Sequence, residues 1–309
     1  MFFKNLTLFR FDPRILADVD LARELSERRL TEPGAIELSR FGFVPPRGRG
    51  FEEYPQEYAS SVGDFALVCL GKKERLLPSD VLAEELGKRI DHMHEQTGRA
   101  PGARERKRLR EEIITDLLPR AFVRTTYLRA YVDKARGWLA INTSSRAAAE
   151  ALVTQIRDAL GSFPAVPLIP EESPRVLMTD WIATGKTPKP VILGDECELR
   201  DPVEQGAIVR CKRQELETDE VREHLRSGKQ VFRTAIAFDD RLTMTLSEDL
   251  VVRQLRFTDV VRDELDKSGA DDGAALFDAE FSLMSLELQR LLAWVEATFK
   301  VPGPKPRNE

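Results

Sequence analysis

VFRTAIAFDDRLTMTLSEDLVVRQLRF, residues 231–257, contains three successive runs rich in β-branched and aromatic residues, with apolar and polar positions interleaved. A period of two puts one face of each run in a core and the other in water, which is the pattern of a half-buried strand. Asp239-Asp240 divides the first run from the second and has the chemistry of a two-residue hairpin turn. A long apolar helix follows, over about residues 275–298. Strands in succession and then a helix define an α+β fold, because parallel α/β sheets need a helix between each pair of strands.

Upstream of this block, a helix over residues 218–228 is expected, capped by Thr218 and closed by Gly228. AIVRCK, residues 207–212, reads as a strand, and a short helix spans 179–183. SFPAVPLIPEESP, residues 162–174, carries four prolines and reads as the connection between two halves. Before it lies a strand, strand, helix unit: AFVRTTYLRAYVD, GWLAINTS, and SRAAAEALVTQIRDAL, with Ser144 or Ser145 as cap and Gly161 as stop.

Further upstream the spacing of Leu82, Leu86, Ile90 and Met93 predicts a helix that begins at Ser79, with Ser79 as cap. A return helix over about 104–118 presents Leu109, Ile113 and Leu117, and Pro119 ends it. Together they form an antiparallel helical hairpin that projects from its domain. The N-terminal third supplies a strand over Phe2 to Phe11, a helix over Asp18 to Leu30, a loop over Gly42 to Gly50 and a strand over Phe65 to Leu70. The expected organisation is an N-terminal α+β domain, 1–166, with the hairpin inserted at about 78–118. A C-terminal α+β domain, 167–300, and a disordered polar tail, 301–309, complete it. A length of 309 residues exceeds what one core usually serves.

The charge is uneven. The net charge is -5, yet residues 98–136 hold eleven Lys/Arg against five Asp/Glu, and residues 237–290 hold thirteen acids against six bases. A cationic zone on an anionic body binds a polyanion locally and repels it elsewhere. Much of the basic excess falls in the first turns of the return helix, where cations oppose the macrodipole, so helix stability does not account for it. The competing reading is a solvated helix face with i,i+4 pairs such as Arg108 to Glu112.

No catalytic constellation emerges. Gly185-Lys186-Thr187 lacks the upstream glycine of a phosphate-binding loop, since position 180 is Asp, and Pro188 blocks the helix such a loop requires. His92 and His94 point to different faces of a helix, and His224 has no zinc-motif companions, so all three read as surface residues. Asp239-Asp240 as a divalent-ion nuclease site is the alternative to the turn that explains them. Cys69, Cys197 and Cys211 form no CxxC pair, and Cys69 and Cys211 fall in apolar strand-like runs. A reducing cytoplasm, no disulfides, no metal and no cofactor are expected. No run reaches the length of a membrane span.

Polyanion binding needs cations where phosphates pass and a planar group for base contact. PRAFVR supplies Arg120 and Arg124 around Phe122, whose other reading is a core side chain at a strand start. A second cluster, VRCKRQEL, supplies Lys212, Arg213 and Gln214 at a strand end, with Lys229 beyond the next helix. Arg104, Arg106, Lys107 and Arg108 at the hairpin tip are added on charge alone.

FFKNLTLFRF, FGFVPP, LLPRAF, SFPAVPL and VRCKRQEL occur in this order at separations that resemble the recombination-associated RdgC family, from Met1 to about Phe299. Phe43 stands where a tryptophan is common, and Cys211 and Glu215 stand where alanine and aspartate are. The resemblance implies a ring-shaped homodimer threaded by duplex DNA, contact without sequence preference, residence on the nucleoid in the cytoplasm, and restraint of RecA-mediated recombination by occupation of DNA. It implies no catalysis and no cofactor. It carries DNA contact onto Arg120, Phe122, Lys212, Arg213, Gln214 and Lys229. Single-stranded DNA is a further ligand to weigh. An interaction module whose basic hairpin docks an acidic protein is the alternative function.

Overall fold

The structure is a computed structural model that describes residues 2–48, 57–203, 206–270 and 272–304. In chain order the first elements are β1 (Thr7–Arg10), α1 (Leu21–Ser26), β2 (Ser39–Val44), β3 (Ala59–Val62), β4 (Phe65–Arg75), α2 (Ser79–Thr97) and α3 (Ala103–Leu117). Then come β5 (Val123–Asp133), β6 (Trp138–Ile141), α4 (Arg146–Leu160), β7 (Val166–Pro167), α5 (Pro174–Thr184), β8 (Val191–Arg200) and β9 (Ile208–Lys212). The last are α6 (Asp219–Arg226), β10 (Gln230–Phe238), β11 (Leu242–Ser247), β12 (Val252–Phe257), α7 (Asp259–Asp266) and α8 (Gly273–Phe299). The α+β class expected from residues 231–257 is the class observed, with two sheets of antiparallel pairs among the registers described.

The chain groups into two compact units. Unit 1 comprises residues 1–27, 45–69 and 128–309, and unit 2 comprises 28–44 and 70–127. Strands β4 and β5 each contribute one part to either unit.

Unit 1 contains a five-stranded sheet in the order β12-β11-β10-β8-β9. Asp239 and Asp240 both adopt positive φ, and Arg241 N–H donates to the Phe238 carbonyl at 3.0 Å, so the β10–β11 connection is the expected tight hairpin. The apolar positions Ile236, Phe238, Met244, Leu246 and Leu255 all enter one core, packed with Phe281, Leu288 and Val295 of α8. Trp181 of α5 meets Trp294 and Phe299 of α8 at centroid distances of 6.2 and 6.0 Å, and Phe238 closes on Trp294 at 5.8 Å. These rings bury large apolar area in tilted and edge-on geometries and avoid the face-to-face sandwich that aromatic quadrupoles disfavour. The second sheet of this unit runs β4-β5-β6-β1-β7, with β3 on β4. Leu6 and Val252 exchange two backbone hydrogen bonds at 2.8 and 3.0 Å and tie the start of β1 to β12. Ser145 Oγ accepts from Ala148 N–H and Gly161 adopts φ 72, which makes both ends of α4 the ones its sequence predicts.

Unit 2 holds β2, the second part of β4, the first part of β5, and the antiparallel pair α2 and α3. Leu82, Leu109 and Ile113 are buried on the facing stripes, as their spacing requires. Arg75 locks the base: its backbone N–H donates to Leu38 and its Nη1 to the Leu118 carbonyl, both at 2.8 Å.

Several expectations are corrected. Gly42, Phe43 and Val44 lie in strand β2, not in a loop. A Cβ at Gly42 would sit 2.5 Å from the backbone of Leu30, so this glycine serves close packing against residues 29–30; Pro45 and Pro46 end the strand. Residues 49–50 of that expected loop lie outside the described residues. The first helix is confined to Leu21–Ser26, capped by Asp20. Ser79 is the first helical residue of α2, the cap position is Pro78, and no side chain caps this end. Helix α5 starts at Pro174, which suits a first-turn position because its missing N–H costs nothing there. β3, β8 and α7 were not expected at all. Of the expected tail, Val301 is buried and residues 305–309 lie outside the described residues.

Candidate nucleic-acid interface

Seven of the expected contact residues fall in unit 2. Helix α3 begins with Gly102 at its cap, and Glu105 folds back to accept from Gly102 N–H at 2.9 Å. Arg99 grips the same carboxylate through two hydrogen bonds of 2.8 and 2.7 Å. The Arg99 bonds and the Gly102 N–H hold the Glu105 carboxyl down at about 2. This acid at the N-terminus offsets the unfavourable basic first turn. Arg106 donates through Nε to the Pro101 carbonyl at 3.1 Å. Arg108 reaches Glu112 at 3.4 Å and Lys107 reaches Glu111 only at 4.0 Å. The solvated-face reading therefore accounts for part of the tip. Arg104 and Arg110 are exposed and have no ion-pair partner among the described residues.

After α3 a single 3-10 turn, Leu118–Arg120, carries the chain around Pro119. Leu76 N–H donates to the Phe122 carbonyl at 2.8 Å and fixes the backbone there. Phe122 is 86% exposed, which rejects its reading as a core side chain. Arg120 beside it is exposed without an ion pair among the described residues, and Arg124 pairs with Glu74 at 3.2 Å. An aromatic this exposed on a fixed backbone gains nothing from packing, and a planar ring between two arginines is the arrangement that accepts stacked bases.

The remaining four residues lie in unit 1. Lys212 ends β9 and is exposed. Arg213 takes φ 56, an uncommon conformation for a side-chain-bearing residue, and turns the chain so that Gln214 N–H donates to the Asp195 carbonyl at 3.3 Å. Lys229 is half-buried, with Nζ 3.4 Å from Ser227 Oγ. Lys212 borders a shallow cavity of about 230 Å³ on the sheet, shared with Arg210, Arg233, Arg253 and the acids Glu196 and Glu198. Burial raises the Glu198 carboxyl, but hydrogen bonds from Arg210 and Arg200 outweigh it and hold the pKa below its usual value. Arg210 Nε lies 2.9 Å from one oxygen of Glu198 and Arg200 Nε 2.7 Å from the other.

Arg233 and Arg253 escaped the sequence reading because each lies inside a strand-like run with no adjacent cation. Only the sheet order, which sets β10 and β12 to either side of β11, gathers them near Lys212. A signal was present in VFRTAIAF and VVRQLRF, whose outward positions carry arginine.

The other candidate motifs have structural roles. Gly185 ends α5 with φ 70, so Lys186 and Thr187 follow a helix and do not precede one. His92 and His94 are exposed and His224 is half-buried. Asp239 lies 3.5 Å from Arg290. Cys69, Cys197 and Cys211 are buried and unbridged, and Cys197 pairs with Cys211 across β8 and β9. Burial pushes the Cys69 thiol up to about 11. Among the described residues, no three His, Cys, Asp or Glu side chains are placed to hold a metal, and no helix is long and apolar enough to cross a membrane.

The chain is thus an α+β protein with a basic cluster on the first turns of α3 and a cationic basin on an antiparallel sheet. The family model described as "RdgC: Putative exonuclease, RdgC" matches residues 1–301. Among curated proteins, "Recombination-associated protein RdgC" of Xanthomonas campestris pv. campestris (strain B100) is 42% identical over 301 residues, covering 97% of this chain and 98% of the relative. The protein of the same name from Xanthomonas axonopodis pv. citri (strain 306) is 42% identical, with 97% and 99% covered. That from Stenotrophomonas maltophilia (strain R551-3) is 40% identical over 302 residues, with 97% and 99% covered. The chain belongs to the RdgC family, whose curated relatives are named for recombination. The family description mentions an exonuclease and the relatives' names do not.

Proposed function

We propose that this chain is a sequence-nonspecific DNA-binding protein that acts as a ring-shaped homodimer around duplex DNA. In this reading it resides on the nucleoid and limits RecA-mediated recombination by occupying the DNA. The observation that carries it is Phe122, 86% exposed and flanked by Arg120 and Arg124. Lys212, Arg213, Gln214 and Lys229 form the second contact, extended here to Arg233 and Arg253. Arg104, Arg106, Lys107 and Arg108 form the outermost one. The proposed N-terminal half, 1–166, supplies the first and third contacts, and the C-terminal half, 167–300, supplies the second. Contacts to phosphates do not read sequence, and counterion release makes them sensitive to salt.

The test is fluorescence anisotropy of labelled duplexes of unrelated sequence, repeated across salt concentrations without Mg²⁺. Six to ten phosphate contacts lower affinity by roughly 10³–10⁵ between about 50 and 200 mM salt. Lys212→Ala is expected to reduce the slope of log K against log salt by about 0.9. Phe122→Ala is expected to weaken binding by about 1–3 kcal/mol, most on single strands, with an unchanged melting temperature. Absence of binding at low salt sinks the reading. The exonuclease in the family description motivates a second assay: Mg²⁺-dependent loss of end-labelled duplex, abolished by EDTA, would make the chain a nuclease.

A further inference from the structure

A groove in unit 1, about 740 Å³ in volume, is lined by none of the residues assigned to DNA. Phe11, Ile15, Phe163 and Pro302 give it an apolar floor and walls. Val166 and Ile169 on its rim are 50% and 73% exposed, so apolar surface continues past the cavity itself. Soluble proteins seldom leave such surface open without use. β7 is the last strand of its sheet, but Pro164, Pro167 and Pro170 deprive this edge of amide donors. Strand addition is therefore poorly supported and capture of side chains is favoured.

The charges at the groove are unequal. Asp12 is already met by Arg14, which donates to its Oδ1 at 3.1 Å and to its Oδ2 at 2.6 Å. Arg157 is exposed and has no ion-pair partner among the described residues. Arg10 has a side chain only 6% exposed, stacked 4.1 Å above the Trp138 ring. Its ion pair is Nη1 to Glu296 at 3.3 Å, its Nε is buried without a partner, and its Nη2 faces Gly303 of the groove wall. A buried guanidinium with unused donors favours an incoming carboxylate.

We propose that this groove docks an acidic, apolar peptide segment of a partner protein, its apolar side chains on Val166, Ile169 and Pro302 above the buried Phe11 and Phe163 and its carboxylates toward Arg157 and Arg10. The rim beyond the cavity argues for a chain longer than a small metabolite. The proposal stands independently of DNA binding.

The probe is a fluorescein-labelled peptide of sequence GDDLPLF with a free C-terminus, titrated with the full-length protein and followed by polarisation. Saturation at or below roughly 100 μM is expected. Ile169→Asp and Arg157→Glu, both at exposed positions, are each expected to weaken it by about tenfold or more, a loss of about 1.4 kcal/mol. A peptide in which lysines replace both aspartates should not saturate. The proposal is overturned if GDDLPLF does not bind, if either variant binds it as tightly as the parent, or if the lysine peptide binds equally. It is also overturned if Ile169→Asp splits an oligomer in sedimentation velocity, which would make the groove an interface between copies of this chain.

Discussion

In the hairpin of unit 2, Lys88, Arg89 and Arg108 each meet a carboxylate on their own or the facing helix, with both partners largely in solvent. In unit 1, Arg241 joins Glu264 to Glu287, and Glu287 is 3% exposed within α8. The residue types are the same and the consequences differ. An exposed pair exchanges hydration for a screened attraction and nets little. A buried carboxylate whose cation is removed keeps its desolvation cost with nothing to offset it. The basin around Lys212 is intermediate: Glu198 is nearly buried, while Arg210 on its rim is exposed.

Arg241→Ala is the sharpest way to break the comparison. It should cost about 3–5 kcal/mol in urea unfolding, because Glu287 stays buried, loses its hydrogen-bonded cation and keeps only Arg290 at 3.9 Å. A loss no larger than that of a surface pair would show that the network is not what holds α7 and α8 to the β10–β11 turn. Glu198→Gln comes next. It leaves Arg200 and Arg210 without their anion, and the expected result is tighter duplex binding, roughly threefold to tenfold at low salt, with a steeper salt slope. Unchanged affinity would remove the basin from the DNA footprint.

The Glu105 titration is subtler. Its folded pKa, about 2, lies below the ordinary 4.5, so its contribution is complete above about pH 4.5 and disappears as the pH falls through about 2. The Glu105 side-chain carboxyl resonance in NMR should titrate near that lower value, and Arg99→Ala should move it up. The smallest effect is expected for Arg108→Ala, less than about 0.5 kcal/mol in stability. A larger loss would mean that the tip is structural and weaken its assignment to DNA.

Much of unit 1 was legible because its signals are local: alternation in β10 and β11, paired aspartates at the turn, Ser145 and Gly161 at the ends of α4. Strand β8 was not. Its VILGDECELR run breaks alternation at Gly194 and Asp195, and the β10–β8 register slips at two places. Gly194 is needed there because an added Cβ would come within 2.8 Å of the Ala235 side chain, a constraint set by a strand about forty residues away. Missing β8 also hid the apposition of Cys197 and Cys211. The proposed contacts of the hairpin tip and of PRAFVR rest on charge and composition, and the exposure of Phe122 is what the fold adds to them. Arg233 and Arg253 show only as outward arginines in VFRTAIAF and VVRQLRF, and strand order is what brings them to one cavity with Lys212.

All three tryptophans, Trp138, Trp181 and Trp294, belong to unit 1 and are buried there. Tryptophan emission therefore watches one unit: it follows the loss of the aromatic cluster on α5 and α8 and is blind to the melting of α2 and α3. Far-ultraviolet circular dichroism counts those helices in full. An offset between the two melting curves would mark independent unfolding of the units, and a tryptophan curve by itself would describe the stability of unit 1 alone.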